Sequence, residues 1–284
     1  MVVPDNVIAA VHGGDVSAVV AWLDGGGDVN DTGSDSSLFP GDTLLRVIPQ
    51  SDEVSSQHVE LAKILLQRGA DLNREHIEDG YSAVHCCIDE LFCVTTDTTS
   101  ARAAILEILG IYLAAGATVN HKNWRGDTPL GMALRLRCWA REERRRCAFE
   151  SVKILLRAGA SLDACSKDTT AEEMLRRLDE QEGAHTHDEH FIDEHFLACR
   201  ALVADMRVAG SWKAYARAPP KALLRLRSLV ARGRARTVKR LRARTPREIE
   251  LLFAPAFPNE LCWRVLEYWN PRYEALRTPS PRPV

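Results

Sequence analysis

Aromatic residues are scarce in this chain, 6% of 284, and no apolar run approaches the roughly 18 residues that a membrane-crossing helix needs. Residues 1–5 carry neither the basic flank nor the long apolar stretch of a secretory signal. Eight cysteines are present. Cys86 and Cys87 are adjacent and the others scattered, so neither zinc-ligand nor disulfide-framework spacing emerges, and reduced thiols in the cytosol or nucleus are expected. There is no Gly-rich phosphate loop, no Gly-x-Ser-x-Gly and no spaced metal triad. Together these absences argue against transmembrane, disulfide-stapled and motif-defined enzymatic classes, and a non-enzymatic protein without cofactor or metal is expected. What remains, 45% hydrophobic and 27% charged, is the composition of a soluble globular protein that can bury a core.

Charge is unevenly distributed. Residues 211–247 hold thirteen of the 37 Lys and Arg and no Asp or Glu, leaving 24 basic against 39 acidic residues elsewhere. An acidic body is followed by a basic segment, and two parts with different tasks are expected.

One five-residue pattern occurs four times: Gly26-Gly27-Asp28-Val29-Asn30, Gly69-Ala70-Asp71-Leu72-Asn73, Gly116-Ala117-Thr118-Val119-Asn120 and Gly159-Ala160-Ser161-Leu162-Asp163. The glycines are 43, 47 and 43 residues apart. An apolar pair precedes each: Trp22-Leu23, Leu65-Leu66, Tyr112-Leu113 and Leu155-Leu156. Three residues earlier stand Val19, Ala62, Leu109 and Val152. That spacing lays one apolar stripe along a helix, which the glycine ends in a left-handed turn. Leu113 and Leu156 are expected on the buried stripe. Openers complete the unit: Asp79-Gly80-Tyr81-Ser82-Ala83-Val84-His85 and Gly126-Asp127-Thr128-Pro129-Leu130, with weaker versions at Gly41-Asp42-Thr43 and Lys167-Asp168-Thr169. Thr caps a first helix and Pro pre-sets its first turn.

These openers and tails resemble the ankyrin repeat, over about residues 5–209. The resemblance implies an all-α solenoid of about five helix-turn-helix units, with His85 bridging repeats by a structural hydrogen bond. It also implies a protein partner held on the concave face and hairpins. Ankyrin units run about 33 residues, and these are longer. Most of the excess falls between the two helices of a repeat, in segments such as 93–100 and 137–147. The fifth unit is degenerate, with residues 170–178, a polar loop and a long helix from about Asp188 to Val208, as an end cap should be.

Four other groupings were weighed as sites. His185, His187, His190 and His195 with Cys199 form the densest ligand-type cluster, but its repeat of five residues does not keep a ligand set on one helix face, so no metal is expected. His85 beside Cys86 and Cys87 lacks an orienting third group, and catalysis there is not expected. Glu142-Glu143-Arg144-Arg145-Arg146 suits a solvated helix face. The hairpin His121-Lys122-Asn123-Trp124-Arg125 places Trp124 and Arg125, residue types over-represented at binding hot spots, near an exposed tip. They are candidate protein-binding residues. The alternative is that Trp124 tucks against the next hairpin.

From Gly210 the composition changes. Residues 210–270 are expected to form a basic helical module and 271–284 a Pro-rich tail. Pro258-Asn259-Glu260-Leu261 and Val265-Leu266 resemble the opening of an F-box, whose truncated form is known at the end of poxvirus-type ankyrin proteins. Residues 222–230 with 257–269 also resemble a SOCS box, although Arg227 stands where the elongin-binding helix carries Cys. Phe257, Leu261, Trp263, Val265 and Leu266 are the candidate adaptor-binding residues. A small helical cap sealing the last repeat explains the same pattern. The resemblance thus implies an interaction scaffold, in its specific form the substrate receptor of a cullin-type ubiquitin ligase, with a ligase adaptor at the C-terminus. The alternative is a scaffold docking on nucleic acid or anionic membrane through its basic segment. No nucleic-acid-binding module is recognisable, so the protein partner is preferred. A monomer in the cytoplasm is expected, with the nucleus as the other compartment.

Overall fold

The computed structural model describes residues 2–92, 99–135, 142–167, 169–185 and 194–217, together with 225, 228, 229 and 232. The chain divides into two compact units, Met1–Arg207 and Val208–Val284, and its described residues are mostly helical. None of the described helices is long and apolar enough to cross a membrane.

The described residues of the first unit form ten α-helices: α1 (Asp5–His12), α2 (Val16–Asp24), α3 (Leu44–Val47), α4 (Ser56–Gln67), α5 (Ala83–Glu90), α6 (Thr99–Ala114), α7 (Pro129–Arg135), α8 (Glu142–Arg157), α9 (Ala171–His185) and α10, which runs on over Glu194–Ala209. Odd-numbered helices pack in succession, α1 on α3, α3 on α5, α5 on α7 and α7 on α9. So do the even-numbered ones from α2 to α8, and α1–α2, α5–α6 and α7–α8 pack as pairs. Two layers result, with the core between them.

The sequence explains these helices locally. Ser55 and His58 form a reciprocal capping box at the start of α4, and Ser82 and His85 do the same for α5. Each satisfies two backbone donors that a helix start leaves open. On α6, Ile105, Ile108, Leu109 and Tyr112 are all fully buried, and the Tyr112 hydroxyl donates to the Leu45 carbonyl at 2.8 Å. Gly26, Gly69, Gly116 and Gly159 all have φ between 86° and 100°, the left-handed turn expected after each stripe.

Three details depart from expectation. Leu113 is only half-buried and Tyr112 is the stripe residue of that pair, whereas Leu155 and Leu156 are both fully buried. The pair straddles the stripe's edge, and the larger ring faces inward. Helix α9 continues to His185 instead of yielding to a polar loop after Leu178. Arg176 and Arg177 pair with Glu173, and Arg176 also with Glu180, at the i,i+3 and i,i+4 spacings that support a helix. Finally, β1 (Val2–Val3) lies parallel to β2 (Thr32–Gly33), a short strand pair in a unit expected to be all-α.

In the second unit residues 212–217 are helical, and the Trp212 and Tyr215 rings lie 5.5 Å apart.

Candidate functional site

The segments joining one helix pair to the next form a row of hairpins, and side chains couple each to its neighbour. The last residue of the five-residue motif does so first. Asn30 donates its side-chain amide to the Gly69 carbonyl at 3.2 Å and accepts from the Asp71 N–H at 2.7 Å. Asn73 accepts from the Thr118 N–H at 2.7 Å. Asn120 donates to the Gly159 carbonyl at 3.4 Å and accepts from the Ser161 N–H at 2.8 Å. Each asparagine therefore reads the first or third position of the following motif. The fourth motif ends in Asp163, which instead receives Arg207 of α10 at 2.6 Å. Arg207 also binds Glu172 through two nitrogens, at 2.7 and 2.9 Å, and this hydrogen bonding holds the Glu172 carboxyl below its ordinary range.

A second coupling lies three residues after each opener. Arg46, buried, donates to the Tyr81 carbonyl and pairs with Asp42 at 2.5 Å and Asp79 at 3.6 Å. His85, at the equivalent place, uses Nδ1 to accept from the Ser82 N–H and Nε2 to donate to the Asp127 carbonyl at 3.2 Å. Its two partners, a backbone N–H and a carbonyl, fix the Nε2–H tautomer. Burial pushes the His85 pKa down to about 4, against the opposing pull of the Asp127 carbonyl. The ring is therefore neutral at physiological pH. Gly131 occupies the third such place, and a Cβ there would stand 1.8 Å from the Cys165 carbonyl oxygen. Thr128 takes that carbonyl instead, through its N–H at 2.9 Å and hydroxyl at 3.1 Å. Arg46 and His85 thus hold the backbone just before the next helix by side-chain bonds, whereas the bare Gly131 lets the Cys165 carbonyl come close.

The outer edge of the row is exposed. Trp124 is 64% exposed, with its indole lying over Gly80 of the preceding hairpin, where a Cβ would meet it at 2.4 Å. Arg125 beside it is exposed as well. Both candidates thus sit at the tip, and the contact of Trp124 is with the hairpin before it. Two further residues, not among the sequence candidates, join them. Leu38 is 75% exposed and Ile77 79% exposed. Neither carries a distinguishing signal, since Leu38 adjoins Phe39 and Pro40, and a lone aliphatic such as Ile77 between His76 and Glu78 suits a buried position equally well. The hairpins carrying them are tied side by side: the His76 ring meets the Pro40 carbonyl at 2.9 Å, and the His121 ring meets the Gly80 carbonyl at 3.2 Å. Tip residues are therefore presented on a fixed frame.

Among the described residues no group of three His, Cys, Asp or Glu is placed to hold a metal ion. His187 and His190 lie outside those residues, while His195 packs its ring 6.4 Å from Phe149 and Cys199 is buried. Cys86 and Cys87 are buried, and burial pushes both thiols well up, which suppresses the thiolate that a nucleophile needs. Phe257, Leu261, Trp263, Val265 and Leu266 lie outside the described residues, as does nearly all of the basic segment. No protein-family model matches the chain, and comparison with curated proteins finds no match either.

Proposed function

We propose that this chain is a non-enzymatic ankyrin-repeat scaffold that holds a protein partner along its hairpin row. The observation that carries the reading is the asparagine ladder, Asn30, Asn73 and Asn120, each bonded to the next five-residue motif. Units coupled in series through like contacts are the construction of a repeat array, which serves as a platform for recognition. In that reading residues 5–209 are the array and 210–270 a helical module. The sequence Pro258-Asn259-Glu260-Leu261 favours the specific version, in which the module recruits a ligase adaptor and the protein is the substrate receptor of a cullin-type ubiquitin ligase. A cytoplasmic or nuclear location goes with it.

The test is a pull-down of elongin and of the Skp-type adaptor, using the intact chain and a chain cut after Pro255. Capture by the intact chain that disappears on truncation is the expected result. If neither adaptor is captured and truncation lowers the unfolding temperature of the array, the module is only a cap and the receptor version falls. Salt-sensitive retention on a polyanion such as heparin, lost on the same cut, would favour docking through the basic segment instead.

A further inference from the structure

The three exposed aliphatic and aromatic tips, Leu38, Ile77 and Trp124, come one from each of three consecutive hairpins. The hairpins differ in charge. The first 45 residues hold seven Asp and no Glu, Lys or Arg, so the first hairpin, with Asp28, Asp31 and Asp35, is purely acidic. The nearest cation along the chain, Arg46, is 4% exposed and already paired with Asp42. The second hairpin is mixed. Its one cation, Arg74, reaches across to the Asn30 carbonyl of the first hairpin, Glu75 faces the His121 ring at 3.5 Å, and Glu78 is exposed. The third hairpin carries Arg125, exposed, and Lys122, exposed and donating to the Lys167 carbonyl at 3.2 Å, whereas its one carboxylate, Asp127, is 1% exposed and neutralised by Arg135 at 2.5 Å. The row thus runs from negative to positive with an apolar residue at every step.

We infer that the partner is a linear peptide segment of set polarity. It is basic where it crosses the first hairpin, apolar along the middle and acidic where it crosses the third. The inference rests on the scaffold reading and adds the ligand's chemistry to it. Apolar tips give contact area, with Trp124 as the rigid anchor. The end charges set the direction, because a reversed segment would meet like charge at both ends. Only a segment running along the row can touch all three tips.

The full chain is panned against a random linear peptide library displayed on phage, beside a variant with Asp31→Lys, Asp35→Lys, Lys122→Glu and Arg125→Glu. Both proteins are first checked for the same thermal unfolding. Peptides selected by the natural chain are expected to carry Lys or Arg at one end and Asp or Glu at the other. The variant should select the opposite order. Trp124→Ala should weaken a selected synthetic peptide about tenfold or more. Peptides that need Trp124 but show no charge order overturn the polarity while leaving the scaffold standing. A library that yields no binder overturns the peptide ligand itself. A dimer in sedimentation that Leu38→Ser with Ile77→Ser dissolves would also sink the inference, since the row would then join two copies of this chain.

Discussion

His85 concentrates several constraints in one ring, and its chemistry makes the fold sensitive to acid. The imidazole is neutral in the native state because burial holds its pKa near 4, well below the ordinary 6.5. The unfolded chain therefore takes up the proton first as pH falls. Stability from His85 is fully present above pH 6.5 and is lost between there and about pH 4. At pH 5 the loss should be about 2 kcal/mol. Unfolding free energies from urea titration at pH 7.5 and 5.0 should differ by at least that amount, and His85→Gln should narrow the gap while lowering stability at both values. His58 is shifted in the same direction by burial, so part of the acid sensitivity will survive the substitution. Two glycines make a contrasting pair. Gly116 has φ of 100° and open space around any Cβ, so Gly116→Ala should cost only the left-handed strain, about 1–2 kcal/mol. Gly131→Ala would drive a methyl into the Cys165 carbonyl and should cost about 3 kcal/mol or more. Equal losses in denaturant titration would contradict the packing at α7.

At the level of elements, the apolar stripes carry the fold. Leu109 and Leu156 are fully buried, and alanine at either should cost about 2–5 kcal/mol. Leu113→Ala should cost less, since that side chain is half-buried. Thermal unfolding of the three variants checks the order. The stripes and their stop glycines were legible from spacing alone, because a helix face and a left-handed turn are local properties. The bridging role of His85 was implied by the resemblance of its opener, not by spacing. Which member of Tyr112-Leu113 faces inward was not legible, since both fit the helical period and the choice depends on Leu45 across the layer. The end of α9 was obscured by a polar composition that suits a solvated helix as well as a loop. Pairing of Val2–Val3 with Thr32–Gly33 joins segments about thirty residues apart, and no period announces such a contact. Trp124 could be picked from the sequence by residue type. Leu38 and Ile77 could not, because exposure is settled by the neighbours a side chain lacks in space.

For the molecule as a whole, coupling between successive helix pairs matters as much as each pair's own core. Asn73→Ala removes the side-chain acceptor of the Thr118 N–H and should cost about 1 kcal/mol. In hydrogen exchange the amides of α4 and α6 should then open independently more often than in the natural chain. Uniform acceleration across all helices would mean instead that the first unit unfolds as one block.

The ladder also has a direction and a full stop. Asparagine offers both a donor and an acceptor, so Asn30 and Asn120 each grip the motif that follows. The Asp163 side chain has no N–H to give, and its charge would face the carbonyl of any motif placed after it. Arg207 pairs with it instead. Copying residues 74–120 in tandem should lengthen the array without a break, because the duplicate begins and ends on positions that already read each other. A unit grafted after Asp163 should be held less firmly than one after Asp163→Asn, which restores the donor; acceptance alone still couples, as at Asn73. A single oxygen-for-nitrogen difference thus marks the end of the row in this protein's grammar of extension.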